Sequence, residues 1–442
     1  MRRRGLIGGM ACAALMPALG LRMAAAQTPL RIDITDGIGG AMPFAIAPFE
    51  ARRGTDPGEA AELAVQIAEL ASADLNGSGL FERIEAEQPP TAFDGPVGFP
   101  EWRETGAELL ITGSVAAADD QITLRFRLFD IFAGQPLGDG IEMQAPSAGW
   151  RRLAHKLADQ ALTRITGEAP WFDTRIAFVG EDGPPTARRK RIGVMDYDGQ
   201  NVNWVTDGAH LVLGPRISPD GQTVLFTSYA TGVPQVIAVD LATMTRRQLT
   251  ANSQAMSFGP RISPNGEWIA FSRETQGNTD IWVMDRQGVF ARQLTQGASI
   301  DTSPSWSPDG QRIVFESDRS GSPQLYVMRA DGSGPTRISF GEGRYGTPAW
   351  SPRGDAVAFT HMVEGRARIA TMRPDGSDER ILTEGPGDEA PSWGPSGRNL
   401  VFARQQSGEP PAVYYVDVTG RNLRPVESGV AATEPFWGPL LS

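Results

Sequence analysis

The chain has 442 residues, with 41 basic against 52 acidic side chains and a formal net charge of −11. That excess of carboxylates argues against nucleic acid as a partner, because affinity there depends on neutralising phosphates. A single cysteine, Cys12, excludes an internal disulfide and a centre built from several thiolates.

Residues 1–26 carry Arg2-Arg3-Arg4, an apolar run from Gly5 to Leu21, and Ala24-Ala25-Ala26. A basic start, an apolar middle and a small-residue end describe an export signal, with cleavage expected between Ala26 and Gln27. Arg22 interrupts the run short of the roughly 20 apolar residues that span a bilayer. Arg3-Arg4-Gly5-Leu6-Ile7 also fits a twin-arginine signal, so both export routes stay open. Cys12 lies inside the signal, where lipid attachment is a second reading. Removal of residues 1–26, which hold four arginines and no acid, leaves 37 basic against 52 acidic residues and no cysteine. No later apolar stretch is long enough to span, so a soluble, exported chain is expected.

The segment "QTPLRIDITD" at 27–36 alternates Leu30, Ile32 and Ile34 with Arg31, Asp33 and Thr35. Alternation predicts an extended strand, and the glycines of "DGIGG" at 36–40 would let it leave a domain surface. Strands are expected at 44–49, 80–84, 108–115 and 122–131, and helices at 57–75 and 149–167. Together they predict an α/β domain over 27–168, ending at Ala169-Pro170. Asp74-Leu75-Asn76-Gly77-Ser78-Gly79, with Glu85 in twelfth position, fits the calcium loop of an EF-hand. It also fits a helix end with glycine caps, and the second flanking helix of an EF-hand is missing from the pattern.

From residue 169 onward a phrase returns. "GPRISPDG", "GPRISPNG", "SPSWSPDG", "TPAWSPRG" and "APSWGPSG" open at Pro215, Pro260, Pro304, Pro348 and Pro391, and a sixth copy starts at Pro435. The intervals are 43–45 residues. After each Ser-Pro turn comes an alternating run ending in Phe226, Phe271, Phe315, Phe359 or Phe402, then two further short runs. Four strands in about 44 residues is the length of one β-propeller blade. The turn chemistry agrees, since proline presets φ, Asp tolerates the next position and Gly supplies positive φ. "TRIAF" at 174–178, 191–199 and 203–206 supply three strands without an opening phrase, and the sixth phrase has no blade after it. The expected fold is therefore an α/β N-terminal domain followed by an all-β six-bladed β-propeller over 169–442, closed by the C-terminal strand. Trp306, Trp350, Trp393 and Trp437 are expected to pack between blades.

The chemistry-bearing residues are sparse. His155, His210 and His361 are the only histidines and share no metal-ligand spacing. His155 falls on a predicted helix, and His210 falls in an inter-blade loop that a partner could touch. No G-x-S-x-G nucleophile elbow is present. A site assembled from several blades at the central channel stays open as a second reading, a peptidase- or lactonase-like hydrolase.

The signal, the small α/β domain and "TRIAF", "MDYDG" at 195–199 and "PSWSPDG" at 304–310 together resemble the TolB family of the Tol–Pal system. The resemblance spans the whole mature chain. It implies a periplasmic interaction protein, monomeric and without enzymatic activity, cofactor or metal. Such a protein supports outer-membrane integrity and constriction during cell division. By that resemblance the loops leading into the opening prolines bind Pal, the peptidoglycan-associated lipoprotein. They include Met256, Phe258 and Thr302, with Gly346, Glu389 and Thr433 at corresponding positions. The mature N-terminus, with Leu30, Arg31, Ile32, Asp33 and Ile34, contacts TolA.

Overall fold

The computed structural model describes residues 40–442 apart from 53–55, 85–88, 90, 185–186 and 251–253. The expected export signal, Cys12, the 27–36 segment and Glu85 lie outside the described residues.

The N-terminal region is a mixed sheet with helices on both faces. Its elements are β1 (Met42–Ile46), β2 (Glu50–Ala51), α1 (Pro57–Gly77), β3 (Phe81–Arg83), α2 (Phe99–Glu104), β4 (Leu109–Ala118), β5 (Gln121–Asp130), β6 (Gln135–Pro136), β7 (Ile141–Pro146) and α3 (Trp150–Thr166). β1 runs parallel to both β3 and β4, whereas β5 pairs antiparallel with β4 and β7. α1 starts where Asp56 accepts the Glu59 N–H at 3.0 Å and Pro57 presets the first turn. α3 ends at Gly167, whose φ of 71° only glycine adopts cheaply. Ile67, Ala71 and Leu75 of α1 and Leu157, Ala161 and Ile165 of α3 are buried together over one face of the sheet. On the other face Trp102 of α2 packs with Leu110 and Phe129.

Six four-stranded blades follow, and their order from the channel outward is the chain order in blades 2 to 6. The innermost strands are Val212–Ile217, Ser257–Ile262, Asp301–Trp306, Arg344–Trp350 and Asp388–Trp393. Blade 1 takes Thr174–Asp182, Arg189–Asp196 and Asn203–Trp204 from the start of the propeller, and its innermost strand is Ala431–Leu440. That last strand pairs antiparallel with the first, Phe436 opposite Ala177 and Trp437 opposite Ile176. The ring is closed by the chain's own end.

The repeated phrase has two structural duties. In its second half, Gly310 N–H donates to the Ser307 carbonyl at 2.9 Å, and Asp309 Oδ1 accepts the Gln311 N–H at 3.0 Å. Gly310 holds φ at 68° to re-enter the next strand. In its first half, the residue before each opening proline is left-handed: Gly214 61°, Gly259 62°, Ser303 54°, Thr347 46°, Ala390 56° and Glu434 49°. Each marks a β-bulge in the innermost strand. Most of the freed N–H groups reach the preceding blade, as Gly259 to Thr227 Oγ1 (3.1 Å) and Ala390 to Thr360 Oγ1 (3.1 Å). The bulges thereby stitch neighbouring blades. Between blades, Phe226, Phe271, Phe315, Phe359 and Phe402 are buried.

The N-terminal domain packs on the Ser-Pro-turn side of the ring. Asn422 Nδ2 donates to the Gly77 carbonyl at 2.9 Å, and Glu168 pairs with Arg353 (2.8 Å) and Arg398 (3.4 Å) beside two of those turns. Trp171, Tyr197, Tyr415 and Trp437 share one aromatic cluster at the junction. Trp437 is buried there, and its Nε1 donates to Thr174 Oγ1 at 2.8 Å. Among the described residues no helix is long and apolar enough to cross a membrane.

Candidate functional site: the two mouths of the propeller channel

Two cavities meet along the propeller axis. On the Ser-Pro-turn side one of about 340 Å3 is walled by Pro219, Pro264, Pro308, Pro352, Pro395 and Pro439 and by Trp306, Trp350, Trp393 and Trp437. On the opposite side one of about 490 Å3 is walled by the bulges and by Glu316, Arg344, Tyr345 and Glu389. Arg216 and Arg261 line both.

The six positions that the sequence assigns to Pal-binding loops lie on this second side, but five are not in loops. Phe258, Thr302, Gly346, Glu389 and Thr433 belong to the innermost strands, and Met256 alone precedes its strand. The bulge explains the difference. Only the proline and the residue before it leave the ladder, and pairing resumes one residue earlier, with Phe258 opposite Ser272 and Thr302 opposite Glu316. Gly346 and Glu389 form part of the 490 Å3 wall, whereas Met256, Phe258, Thr302 and Thr433 do not. Phe258 is half-buried and Met256 exposed. A side chain at Gly346 would meet Glu316 Oε2 at 2.9 Å, so this wall tolerates nothing larger without a shift. Burial pushes the Glu316 carboxyl up, against the lowering effect of the Thr347 N–H.

Arg216, Arg261, Glu316 and Tyr345 are absent from the sequence reading. The signal was present for the arginines, because aligning the phrases puts Arg, Arg, Ser, Ala, Ser and Phe after the six prolines.

Among the described residues, two groups of titratable side chains lie off the channel axis or on its wall. Tyr345 stacks on His361 at 4.4 Å between ring centres and donates to Glu379 at 3.1 Å. His361 Nε2 lies 2.8 Å from the Glu342 carbonyl. Burial, and then the Glu379 charge, raises the Tyr345 hydroxyl to about 12, so it is no nucleophile near neutrality. His155, Asp196 and Asp198 stand close enough to share a cation. Arg151 occupies their midst, 3.6 Å from Asp196 and hydrogen-bonded to Asp198, and a fixed guanidinium there opposes a metal ion. Asp74, the first position of the calcium-loop pattern, is buried on α1 and bonded to His155 and Tyr197. His210 is exposed in the loop before the innermost strand of blade 2.

Known proteins agree with this architecture. A family described as the TolB amino-terminal domain matches residues 30–137, and one described as the TolB beta propeller domain matches residues 162–441. The Tol-Pal system protein TolB of Cereibacter sphaeroides (strain ATCC 17029 / ATH 2.4.9) is 57% identical over 438 residues, covering 98% of each chain. Its counterpart in Jannaschia sp. (strain CCS1) is 58% identical over 421 residues, 94% of each. Among solved structures, TolB from Acinetobacter baumannii superposes with a TM-score of 0.80 at 27% identity, over 91% of this chain and 97% of that one. With two family matches that together span most of its length, and relatives well above half identical over nearly all of it, the chain belongs to the TolB family of Tol-Pal system proteins.

Proposed function

We propose that this chain is a non-enzymatic, periplasmic adaptor of the Tol–Pal system, exported by cleavage after Ala26 and acting as a monomer. Residues 27–168 would form its docking domain and 169–442 its propeller. Pal binds the channel face opposite the Ser-Pro turns, and TolA binds residues 27–36, in support of outer-membrane integrity and constriction at division.

The observation that carries the reading is the placement of the N-terminal domain. Its contacts at Gly77 and Glu168 fall on the Ser-Pro-turn side, which leaves the face around Gly346 and Glu389 open beside a cavity of about 490 Å3. Exposed Met256 and half-buried Phe258 give that face an apolar rim suited to a buried anchor. Calorimetry of the mature chain with purified Pal and with the periplasmic end of TolA tests it. Phe258→Ala with Thr302→Ile should weaken Pal alone, and removal of residues 27–36 should abolish TolA binding alone. Unchanged Pal affinity in a folded double variant would move the Pal site elsewhere.

A further inference from the structure

At the waist where the two cavities meet, the residue after the opening proline is a cation in two consecutive blades, Arg216 and Arg261. The equivalent positions in the other blades are Ser305, Ala349, Ser392 and Phe436, so at this position the charge is confined to two neighbouring blades. Each guanidinium is tethered to the carbonyl of its own proline, Arg216 to Pro215 and Arg261 to Pro260. Both side chains line the two cavities, and Arg216 Nε is buried with no hydrogen-bond partner.

Two other enclosed arginines are ion-paired: Arg319 meets Asp301 at 2.8 Å and Arg404 meets Asp388 at 2.7 Å. Among the described residues Arg216 and Arg261 form no such ion pair. The Arg216 guanidinium lies over the Phe436 ring, 5.2 Å from its centre, and Glu434 attracts both charges from a distance while its Oε2 accepts the Gly214 N–H at 2.7 Å. Burial lowers the Arg216 guanidinium to about 10. Burial, and then the Arg216 charge, lowers Arg261 well below its ordinary value. Two enclosed cations with one shared carboxylate are unstable alone, and an added anion relieves both burial and mutual repulsion.

We propose that the channel waist between Arg216 and Arg261 is a binding site for one small oxyanion, a phosphate or carboxylate group held by the two guanidinium forks. The fork matches such groups with paired N–H donors. The funnel of prolines with Trp306 and Trp393 beside it accepts an apolar body attached to the anion. The site does not depend on which face Pal binds.

The test titrates the mature full-length chain calorimetrically with inorganic phosphate and with benzoate, at constant ionic strength. Saturable one-to-one binding of either probe is expected, weakened at least about tenfold by Arg216→Met and by Arg261→Met. In anion-free buffer the same variants should melt no lower than the parent, because each removes an unpaired enclosed cation. If either fails to fold, Arg216→Lys and Arg261→Lys keep the charge without the fork and should still weaken the probe. Absence of saturable binding by both probes overturns the site, and so does binding that folded variants leave unchanged.

Discussion

Tyr197, in a turn of the first blade, donates its hydroxyl hydrogen to Asp74 on α1, 123 residues earlier in the chain. Asp74 is buried and bonded through its other oxygen to His155 Nδ1 at 2.7 Å on α3. One carboxylate thus ties α1 and α3 of the N-terminal domain to the propeller. Burial, followed by the Asp74 charge, pushes the Tyr197 hydroxyl well above its ordinary range, so it stays a donor. Tyr197→Phe should cost about 1.5–3 kcal/mol, the usual worth of a hydrogen bond to a charged group. Asp74→Ala should cost more, since it strands two buried donors. Chemical denaturation of the three proteins checks both; a Tyr197→Phe midpoint equal to the parent's would reduce the contact to ornament.

The same knot makes stability depend on pH. Burial pushes the His155 imidazolium down, but the charges of Asp74, Asp198 and Asp196 outweigh it, and the folded pKa lies above 6.5. A group raised on folding contributes stability fully below its unfolded pKa and loses it as pH rises through the folded value. Asp159 acts in the same direction. Burial raises it to about 6 from 3.8, against the N–H groups of Phe172, Asp173 and Trp171. Its protonated form therefore favours folding, and that contribution falls away between roughly pH 4 and 6. We expect the melting-temperature difference between the parent and His155→Asn to shrink as pH rises from about 6 through neutrality. A difference that is flat or grows over that range contradicts the assignment.

Ala390 offers a test of the bulges. It holds φ at 56° and sends its N–H to Thr360 Oγ1 at 3.1 Å. A Cβ in the left-handed region costs roughly 1–2 kcal/mol, partly offset by the greater freedom of glycine in the unfolded chain. Ala390→Gly should therefore stabilise by about 0.5–1 kcal/mol, read as a raised midpoint in urea. A loss of stability would mean that the alanine methyl packs usefully enough to outweigh its strain.

The propeller was legible because its signals are local and repeated. Six prolines at nearly constant spacing fix the blade length, and an orphan head and tail, at Thr174 and Pro435, fix the closure. The N-terminal domain was legible where periodicity is long, as in α1 and α3. Six-residue α2 offers too few turns for a period, and β7 is an edge strand with no buried residue, so its pattern is weak. The site was harder for a different reason. A bulge cannot be inferred from a proline alone, so residues two positions before it looked like loop. Arg216 and Arg261 lie 45 residues apart, and only the stacking of equivalent blade positions brings both to one waist. Asp74 matched a metal loop by spacing, whereas its partners, 81 and 123 residues away, are set by tertiary packing.

Closure by the last strand carries the final prediction. Trp437 is buried among Trp171, Tyr415 and Gly394, and its Nε1 is spent on Thr174 Oγ1. The residue thus bonds the first strand of the ring and fills the seam between blades 6 and 1. Trp437→Ala should cost about 3–5 kcal/mol, the range for a buried aromatic truncated to a methyl. Deletion of residues 434–442 should cost more, because it also opens an edge along Thr174–Asp182 where unpaired N–H and C=O groups invite pairing with other chains. The deletion variant is therefore expected to melt far below the parent and to self-associate in light scattering. Trp437→Ala should melt at an intermediate temperature and stay monodisperse, because its backbone still closes the ring. If the deletion variant melted with the parent, the closing strand would contribute nothing to the fold; if it melted with Trp437→Ala, the tryptophan alone would account for the closure.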